Sequence, residues 1–315
     1  MNKTALVTGA TGFIGSYLVR FLRSKGWKVI GSYRSRDSDS LPKLPNLQFV
    51  QCDLRKRQQV ERLLKKHDPT HVFHLAAQSL PTLSWADPVT TFESNVVGSL
   101  HLFEAVRQLD RPPVVVSACS GAEYGHVEAT AIPVVEEHPL RPLHPYGLSK
   151  MCVDLLAREY FLDYKIPTVS LRLFNTTGPG KTNDAPSDFV RQLIRVKKGL
   201  QPPVIEVGNL KPRRAFLDVS DTVRGFYLAA IKGRRGEAYN LCASEAHEMR
   251  EVLQTAIELS GVKVKIRSAT HLMRPSDEKI IFGSTVKFRQ HTGWKPTLSL
   301  GHNLTSMLEY WERVI

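Results

Sequence analysis

Three glycines near the start of the chain limit its fold more than any other feature. Gly9, Gly12 and Gly15 stand at three-residue spacing in Gly-Ala-Thr-Gly-Phe-Ile-Gly. Before them runs Thr4-Ala-Leu-Val-Thr8, short, apolar and partly β-branched, as a buried strand is. After them Ile14, Leu18, Phe21 and Leu22 fall on one helical face. The glycines therefore occupy a strand-to-helix turn. There they permit a tight bend, close approach of backbone to a pyrophosphate, and close packing of helix on strand. The helix start offers free N–H groups and a positive dipole end to the phosphates. Thr11, Gly12, Phe13 and Ile14 line the expected contact.

Strand-like and helical runs alternate through residue 175. Lys28–Tyr33, Leu47–Gln51, His71–Ala77, Val114–Ala118 and Thr168–Phe174 read as strands. A helix face is expected from Val60, Leu63 and Leu64, and another from Phe92, Val96, Leu100 and Phe103. A third runs from Tyr146 through Cys152, Leu155, Leu156 and Tyr160. This alternation predicts an α/β fold, a Rossmann doubly wound parallel sheet. After Asn175 the pattern breaks. A loop over 181–187 precedes a helix near 189–196, a second helix is expected over about 250–259, and the C-terminal stretch with Pro275 and Pro296 reads as irregular. We expect residues 1–175, with a return near 215–242, to form the dinucleotide-binding domain. Residues 176–315 mainly form a smaller, partly interleaved substrate-binding lobe.

The second strand ends in Tyr33-Arg34-Ser-Arg36-Asp37. A site for NAD usually carries an acid here, for the ribose 2′-hydroxyl. Arg34 instead offers a planar fork to a 2′-phosphate, which favours NADP(H). Asp37, reached by a longer turn, is the competing reading. Tyr146 and Lys150 lie four residues apart, which places both on one helical face. A lysine ammonium beside a phenol favours the phenolate and brings tyrosine toward use as an acid or base.

Composition removes other classes. The chain has 315 residues, 42% of them hydrophobic, and no apolar run reaches the ~20 residues of a membrane span. The N-terminus lacks the basic, apolar and cleavage segments of an export signal in that order, so a cytoplasmic protein is expected. Four cysteines, at 52, 119, 152 and 242, form no Cys-x-x-Cys pair, and His71 and His74 have no third ligand nearby. No metal site is expected. The net charge of +13 is dispersed, without interleaved aromatic residues, so nucleic-acid binding is not expected either. The field suits an anionic small molecule.

Taken in order, these segments resemble the extended short-chain dehydrogenases/reductases, the epimerase/dehydratase family, along nearly the whole chain. The matching pieces are Thr8–Gly15, Cys52-Asp53-Leu54, His74-Leu75-Ala76-Ala77, Ser120 with Tyr124-Gly125, Pro145–Lys150, Arg172–Asn175 with Gly178-Pro-Gly180, and Gly293–Pro296. The resemblance implies that Ser120 binds the reacting oxygen, Tyr146 donates or accepts the proton, and Lys150 holds the nicotinamide ribose. It places Asp53 at the adenine, and Leu54, Leu75, Ala76 and Ala77 along the cofactor channel. Asn95 and Gly98 carry no assigned chemistry. It also implies a homodimer.

Within the family the likeness is strongest to enzymes of GDP-linked 6-deoxy-hexoses. It rests on Glu206–Asn209, the Arg214-x-Phe-x-Asp218-Val-x-Asp221 pattern, Arg274-Pro-Ser and Gly283-Ser. By that likeness Asn175, Arg214 and Arg274 bind the diphosphate and the neighbouring sugar groups. The dehydratases carry a glutamate two residues after the catalytic serine or threonine; here that residue is Ala122, and Glu123 should point the other way along an extended backbone. Ala215 stands where aspartate is common. The expected activity is NADPH-dependent reduction of a nucleotide-linked 4-keto-6-deoxy-hexose, GDP-4-keto-6-deoxy-mannose to GDP-rhamnose being favoured. The alternatives are a GDP-mannose 4,6-dehydratase or other nucleotide-sugar 4-epimerase/dehydratase, and a non-catalytic NADP-binding regulator.

Overall fold

The computed structural model describes residues 3–35, 41–42, 44–273 and 280–315. The first half builds β1 (Thr4–Thr8), α1 (Phe13–Ser24), β2 (Lys28–Tyr33), β3 (Leu47–Gln51), α2 (Arg57–His67) and β4 (His71–His74). Two short helices, α3 (Pro81–Ala86) and α4 (Pro88–Phe92), run through a π turn at Glu93–Val97 into α5 (Gly98–Arg107). Then come β5 (Val114–Ser120), α6 (Pro145–Tyr164), β6 (Thr168–Leu173) and β7 (Asn175–Thr177). The rest comprises α7 (Ala185–Lys197), β8 (Val204–Val207), β9 (Arg213–Arg214), β10 (Phe216–Asp218), α8 (Val219–Lys232) and β11 (Ala238–Leu241). It ends with β12 (His247–Glu248), α9 (Met249–Ser260), β13 (Lys265–Ser268), β14 (Ile280–Ile281), α10 (Val286–Thr292) and α11 (Leu300–Val314).

Seven strands form one sheet in the order β11-β6-β5-β4-β1-β2-β3, every neighbouring pair parallel. The chain winds outward from β1 to β3, then returns to β4 and winds the other way. The loops after β1 and β4 therefore part, and the crevice of a doubly wound sheet opens between them. Both faces are covered. Ala5, Val7, Val29, Phe73 and Val116 enter one apolar cluster; their alternating neighbours Leu6, Ile30, Val72 and Val115 enter another. That two-sided burial explains the unbroken apolar strand sequences. A third cluster joins α7, α9 and α11 through Phe189, Leu253, Met307 and Trp311. Among the described residues no helix is long and apolar enough to cross a membrane.

Four expectations are corrected. The strand beginning at His71 ends at His74, because the Leu75 and Ala76 amides bond the Thr8 hydroxyl at 3.1 Å each instead of continuing the ladder. The face Phe92/Val96/Leu100/Phe103 does not hold. The extra residue of the π turn rotates the helix, so Leu100 is exposed while Asn95, Ser99, Leu102 and Phe103 are buried. Helix α7 starts at Ala185, where the Asp184 side chain accepts from the Ser187 N–H at 2.9 Å. The C-terminal stretch is not irregular: α11 buries Leu304, Met307, Leu308 and Trp311, a regular helical stripe.

Segments far apart in the chain are stitched by Asp221, 1% exposed at the start of α8. Its Oδ2 accepts from the Thr297 and Leu298 amides at 2.6 and 3.0 Å, and its Oδ1 from the Thr297 hydroxyl at 2.8 Å and from Arg224 at 2.5 Å. The indole N–H of fully buried Trp294 donates to the Asp221 carbonyl at 3.1 Å. The Asp221 and Gly293–Pro296 motifs are thus two halves of one clasp. Asp221→Ala leaves buried donors unpaired and should cost on the order of 3 kcal/mol. Urea unfolding reads this directly; a variant as stable as the parent protein would contradict the clasp.

Candidate active site

The glycine turn has the geometry a dinucleotide requires. Gly9 has φ +68°, and a Cβ there would lie 2.9 Å from the Ala76 backbone. A Cβ on Gly15 would lie 2.2 Å from the Gly9 carbonyl oxygen. Helix α1 opens at Gly12 with no side-chain cap and no acid in its first turn, which suits an anion at its end. Thr11, Phe13 and Ile14 are half-buried around it. Arg34 follows β2 beside a cavity of about 490 Å³ that it lines with Asp53, Lys56, Gln59, Arg62 and Lys66. Asp53 is engaged with Arg55, whose Nε and terminal nitrogen donate to it at 3.0 and 2.7 Å; that bond holds its carboxyl below the usual range. Leu54 is buried on this side, and Leu75, Ala76 and Ala77 are half-buried at the end of β4. Asp37 lies outside the described residues.

A buried polar chain ties this turn to α6. The Ser99 hydroxyl donates to the Asn95 carbonyl at 2.5 Å, so its oxygen accepts from His74 Nε2–H at 2.7 Å. His74 Nδ1 then accepts from the Thr8 hydroxyl at 2.9 Å. The Asn95 amide donates to Ser149 Oγ at 2.9 Å and to the Gln78 carbonyl at 3.0 Å, and accepts from the Gln78 N–H at 2.7 Å. Ser149 donates in turn to the Tyr146 carbonyl at 2.7 Å. Asn95 in the π turn and Ser99 in the first turn of α5 are both buried on this side. Thr8 and Ser149 fall inside the matching motifs and Asn95 is named without a role, but nothing in sequence assigns them, or Ser99, to this chain of bonds, because each is an ordinary polar residue in a helical or strand pattern. His74, a histidine inside an apolar strand, was the one available signal.

Ser120, Tyr146 and Lys150 meet at the carboxyl end of β5. Ser120 is the last residue of β5 and 8% exposed, and its side chain lies near enough to the Tyr146 phenol to lower its pKa. Lys150, 5% exposed, donates from Nζ to the Ala118 carbonyl at 2.6 Å. Helix α6 begins at Pro145, capped by His144 Nδ1, which accepts from the Gly147 N–H at 3.0 Å, and the His144 and Tyr146 rings stack 6.0 Å apart. The expected shift of the phenol is reversed. Burial pushes Tyr146 up to about 12, against the Ser120 hydrogen bond that pulls it down, and Glu123 and Cys119 push it further up. Burial also lowers Lys150. Burial thus opposes the phenolate form of Tyr146.

The other candidates cluster behind and beside this trio. The backbone at Gly121–Glu123 is a 3-10 turn and not the extended stretch expected, and that turn carries Glu123 inward, where it is fully buried and accepts from the Ser120 N–H at 2.6 Å. A Cβ on Gly121 would lie 3.0 Å from the Phe174 ring, which puts Asn175, the next residue, near the end of β5. The Asn175 side-chain nitrogen is buried without a hydrogen-bond partner among the described residues. Asn175 pairs in register with Phe216, two residues beyond Arg214, so β7 and β10 bring those two candidates into one region. Arg214 is half-buried, and one of its terminal nitrogens donates to the Arg213 carbonyl at 2.9 Å. Ala215 is fully buried among Tyr124, Val134, Phe174 and Cys242, so apolar packing holds this strand where a polar anchor is common. Arg274 lies outside the described residues. No three histidine, cysteine, aspartate or glutamate side chains gather as metal ligands among the described residues.

A doubly wound sheet with a glycine-turn crevice and a Ser-Tyr-Lys cluster at its mouth defines a dinucleotide-dependent oxidoreductase scaffold. The GDP-mannose 4,6 dehydratase family model matches residues 6–307, and the chain belongs to that family, within the epimerase/dehydratase enzymes. GDP-6-deoxy-D-mannose reductase of Pseudomonas aeruginosa is 28% identical over 99% of this chain and 98% of its own length. The structure of RMD from Pseudomonas aeruginosa complexed with NADPH superposes with a TM-score of 0.87 at 26% identity, covering all of both chains. UDP-glucose 4-epimerase of Thermus thermophilus, in complex with NAD, has the same TM-score at 30% identity over 99% of this chain and all of that one.

The polar chain makes a pH prediction. Burial pushes His74 down to about 3, with the Lys150 charge acting in the same direction. An unfolded histidine takes up its proton near pH ~6.5. The unfolded state thus binds the proton first, so His74 contributes stability fully above that pH and loses it progressively as pH falls toward 3. The stability gap between the parent protein and His74→Asn should narrow on acidification from pH 6 to pH 4, by up to ~1.4 kcal/mol per pH unit. A gap that stays constant across those pH values in urea titrations would contradict a buried neutral His74.

Proposed function

We propose that this enzyme reduces a nucleotide-linked 4-keto-6-deoxy-hexose with NADPH, the GDP-linked mannose derivative being the favoured substrate and GDP-rhamnose the product. The glycine turn and the bare end of α1 hold the cofactor diphosphate. Arg34, with the basic wall of the cavity beside it, receives the 2′-phosphate, and Lys150 the nicotinamide ribose. The bound cofactor supplies the hydride. Ser120 donates a hydrogen bond to the sugar C4 oxygen, and Tyr146 delivers the proton that turns the forming alkoxide into a hydroxyl. Donors aimed at charge that develops only during reaction lower its barrier most. Asn175, with its unpartnered amide nitrogen, and Arg214 receive the sugar diphosphate from the C-terminal elements, Arg with charge-assisted bonds. The sheet region thus serves the cofactor and the elements after residue 176 mainly the sugar nucleotide.

One observation carries the choice of reduction over dehydration. Removing the sugar C5 proton and expelling the C6 hydroxyl calls for an extra acid/base group. Ala122 has none, and Glu123, the acid of that turn, is sealed beneath Ser120. What remains is Tyr146 with Ser120, which can supply the one proton that reduction requires. The similarity to the Pseudomonas aeruginosa reductase supports the same reading.

A second copy of the chain completes the assembly. Leu148, Leu155 and Leu162 recur every seventh residue of α6 and are 39, 48 and 50% exposed; Leu100 on α5 and Trp85 on α3 are exposed as well. An apolar stripe of this kind fits an isologous helix-on-helix dimer. Leu155→Glu should convert a dimer to a monomer in analytical ultracentrifugation, whereas a parent protein that sediments as a monomer contradicts the dimer. For the chemistry, Tyr146→Phe should lower kcat by on the order of 100-fold or more while NADPH affinity stays within about twofold, measured by fluorescence titration. Unchanged turnover would remove Tyr146 from the reaction.

A further inference from the structure

Behind the proposed active site lies a buried charged cluster that the reaction does not use directly. Glu123 is 0% exposed. Its Oε1 accepts from the Ser120 N–H at 2.6 Å, and Ser120 Oγ accepts from the Ala122 N–H at 3.2 Å, so the turn after β5 is closed from both ends. The other carboxyl oxygen, Oε2, has no hydrogen-bond partner among the described residues and stands 3.7 Å from Arg172 Nε. Arg172 is committed elsewhere. Its Nε and a terminal nitrogen reach Asp154 Oδ2 at 2.8 and 2.7 Å, and the other terminal nitrogen donates to Tyr124 Oη at 2.8 Å and to the Glu136 carbonyl at 2.7 Å.

The placement of this cluster is informative. Arg172 lies on β6 directly beside Cys119 of β5 in the sheet register. Asp154 lies on α6, one turn beyond Lys150 and two beyond Tyr146, on the same side of the helix. The Arg172–Asp154 pair thus fastens to the sheet the helix that carries Tyr146 and Lys150. Glu123 fastens Ser120 above the same arginine.

We propose that Glu123 is a positioning residue of the active site: it clamps the Ser120 amide, and with it the serine hydroxyl, by geometry and not by charge. The inference rests on the reading that Ser120 and Tyr146 act on the substrate oxygen. A clamp needs only the acceptor Oε1. Arg172 Nε stands 3.7 Å from Oε2, but its hydrogen bonds go to Asp154, Tyr124 and the Glu136 carbonyl, so the contact that fixes the Ser120 backbone is the 2.6 Å bond to Oε1. The groups facing Glu123 agree. Burial and the Asp154 carboxylate raise its carboxyl well above the usual range, while Arg172 and Lys150 pull the other way. Tyr146, Cys119 and Cys152 are the other ionisable groups that sense its charge.

The test compares Glu123→Ala, Glu123→Gln and Tyr146→Phe, each as full-length protein checked for a cooperative thermal transition. Turnover is followed as NADPH oxidation with GDP-4-keto-6-deoxy-mannose. Glu123→Ala should lower kcat at least tenfold with KM for NADPH within about twofold of the parent value. Glu123→Gln, which keeps an acceptor for the Ser120 N–H, should retain kcat within about threefold and leave the pH profile of kcat unmoved. Wild-type kcat in folded Glu123→Ala overturns the clamp. So does a Glu123→Gln protein as slow as Glu123→Ala, because the charge would then be what matters. Full activity in Tyr146→Phe removes the reading beneath the proposal, a failure distinct from either Glu123 outcome.

Discussion

The site depends on one run of hydrogen bonds hidden inside the protein, from Thr8 through His74, Ser99 and Asn95 to Ser149 and the Tyr146 carbonyl. It joins the ends of β1 and β4, where the crevice opens, to the helix that presents Tyr146 and Lys150. Polar groups this deep cost free energy unless every donor finds an acceptor. Here each member's role is settled by its neighbour, down to the histidine tautomer. A satisfied network of this kind specifies one arrangement more sharply than apolar packing does. The distance between a cofactor in the crevice and the phenol at its mouth is thereby set by directional bonds.

The same desolvation governs the chemistry. Burial keeps His74 neutral, lowers Lys150 and raises Tyr146. Lys150 is anchored to the Ala118 carbonyl, two residues before Ser120, so its place is set by the strand that carries the serine. The Asn175 side-chain nitrogen is buried without a hydrogen-bond partner among the described residues. An orphaned buried donor beside an active site is a reason to expect a ligand oxygen there.

The sheet and its crevice were legible because periodicity and glycine spacing report backbone geometry directly. Thr4–Thr8, Lys28–Tyr33 and Leu47–Gln51 form strands with the expected bounds, and Ser120, Tyr146 and Lys150 do converge. What was not legible depends on partners distant in sequence. The face of Phe92, Val96 and Leu100 was misread because a single inserted residue in a π turn rotates a helix without changing its composition. The direction of the Tyr146 shift was misread because a neighbouring cation is visible in sequence and burial is not. Helix α11 is legible in its own residues: Leu304, Met307, Leu308 and Trp311 carry the spacing of a buried helical stripe, although Pro275 and Pro296 break the chain before it. The role of Glu123 could be foreseen only as far as its direction, since Arg172 and Asp154 reach it through the fold.

The central claim is that the hydride leaves with the product. The most direct measurement uses NADPH carrying deuterium at the transferable position of nicotinamide C4, with GDP-4-keto-6-deoxy-mannose, and follows the sugar by NMR and mass spectrometry. The account predicts one deuterium at C4 of the deoxy-hexose for each NADP formed. A product without deuterium, or conversion of GDP-mannose itself with no net oxidation of NADPH, would contradict it.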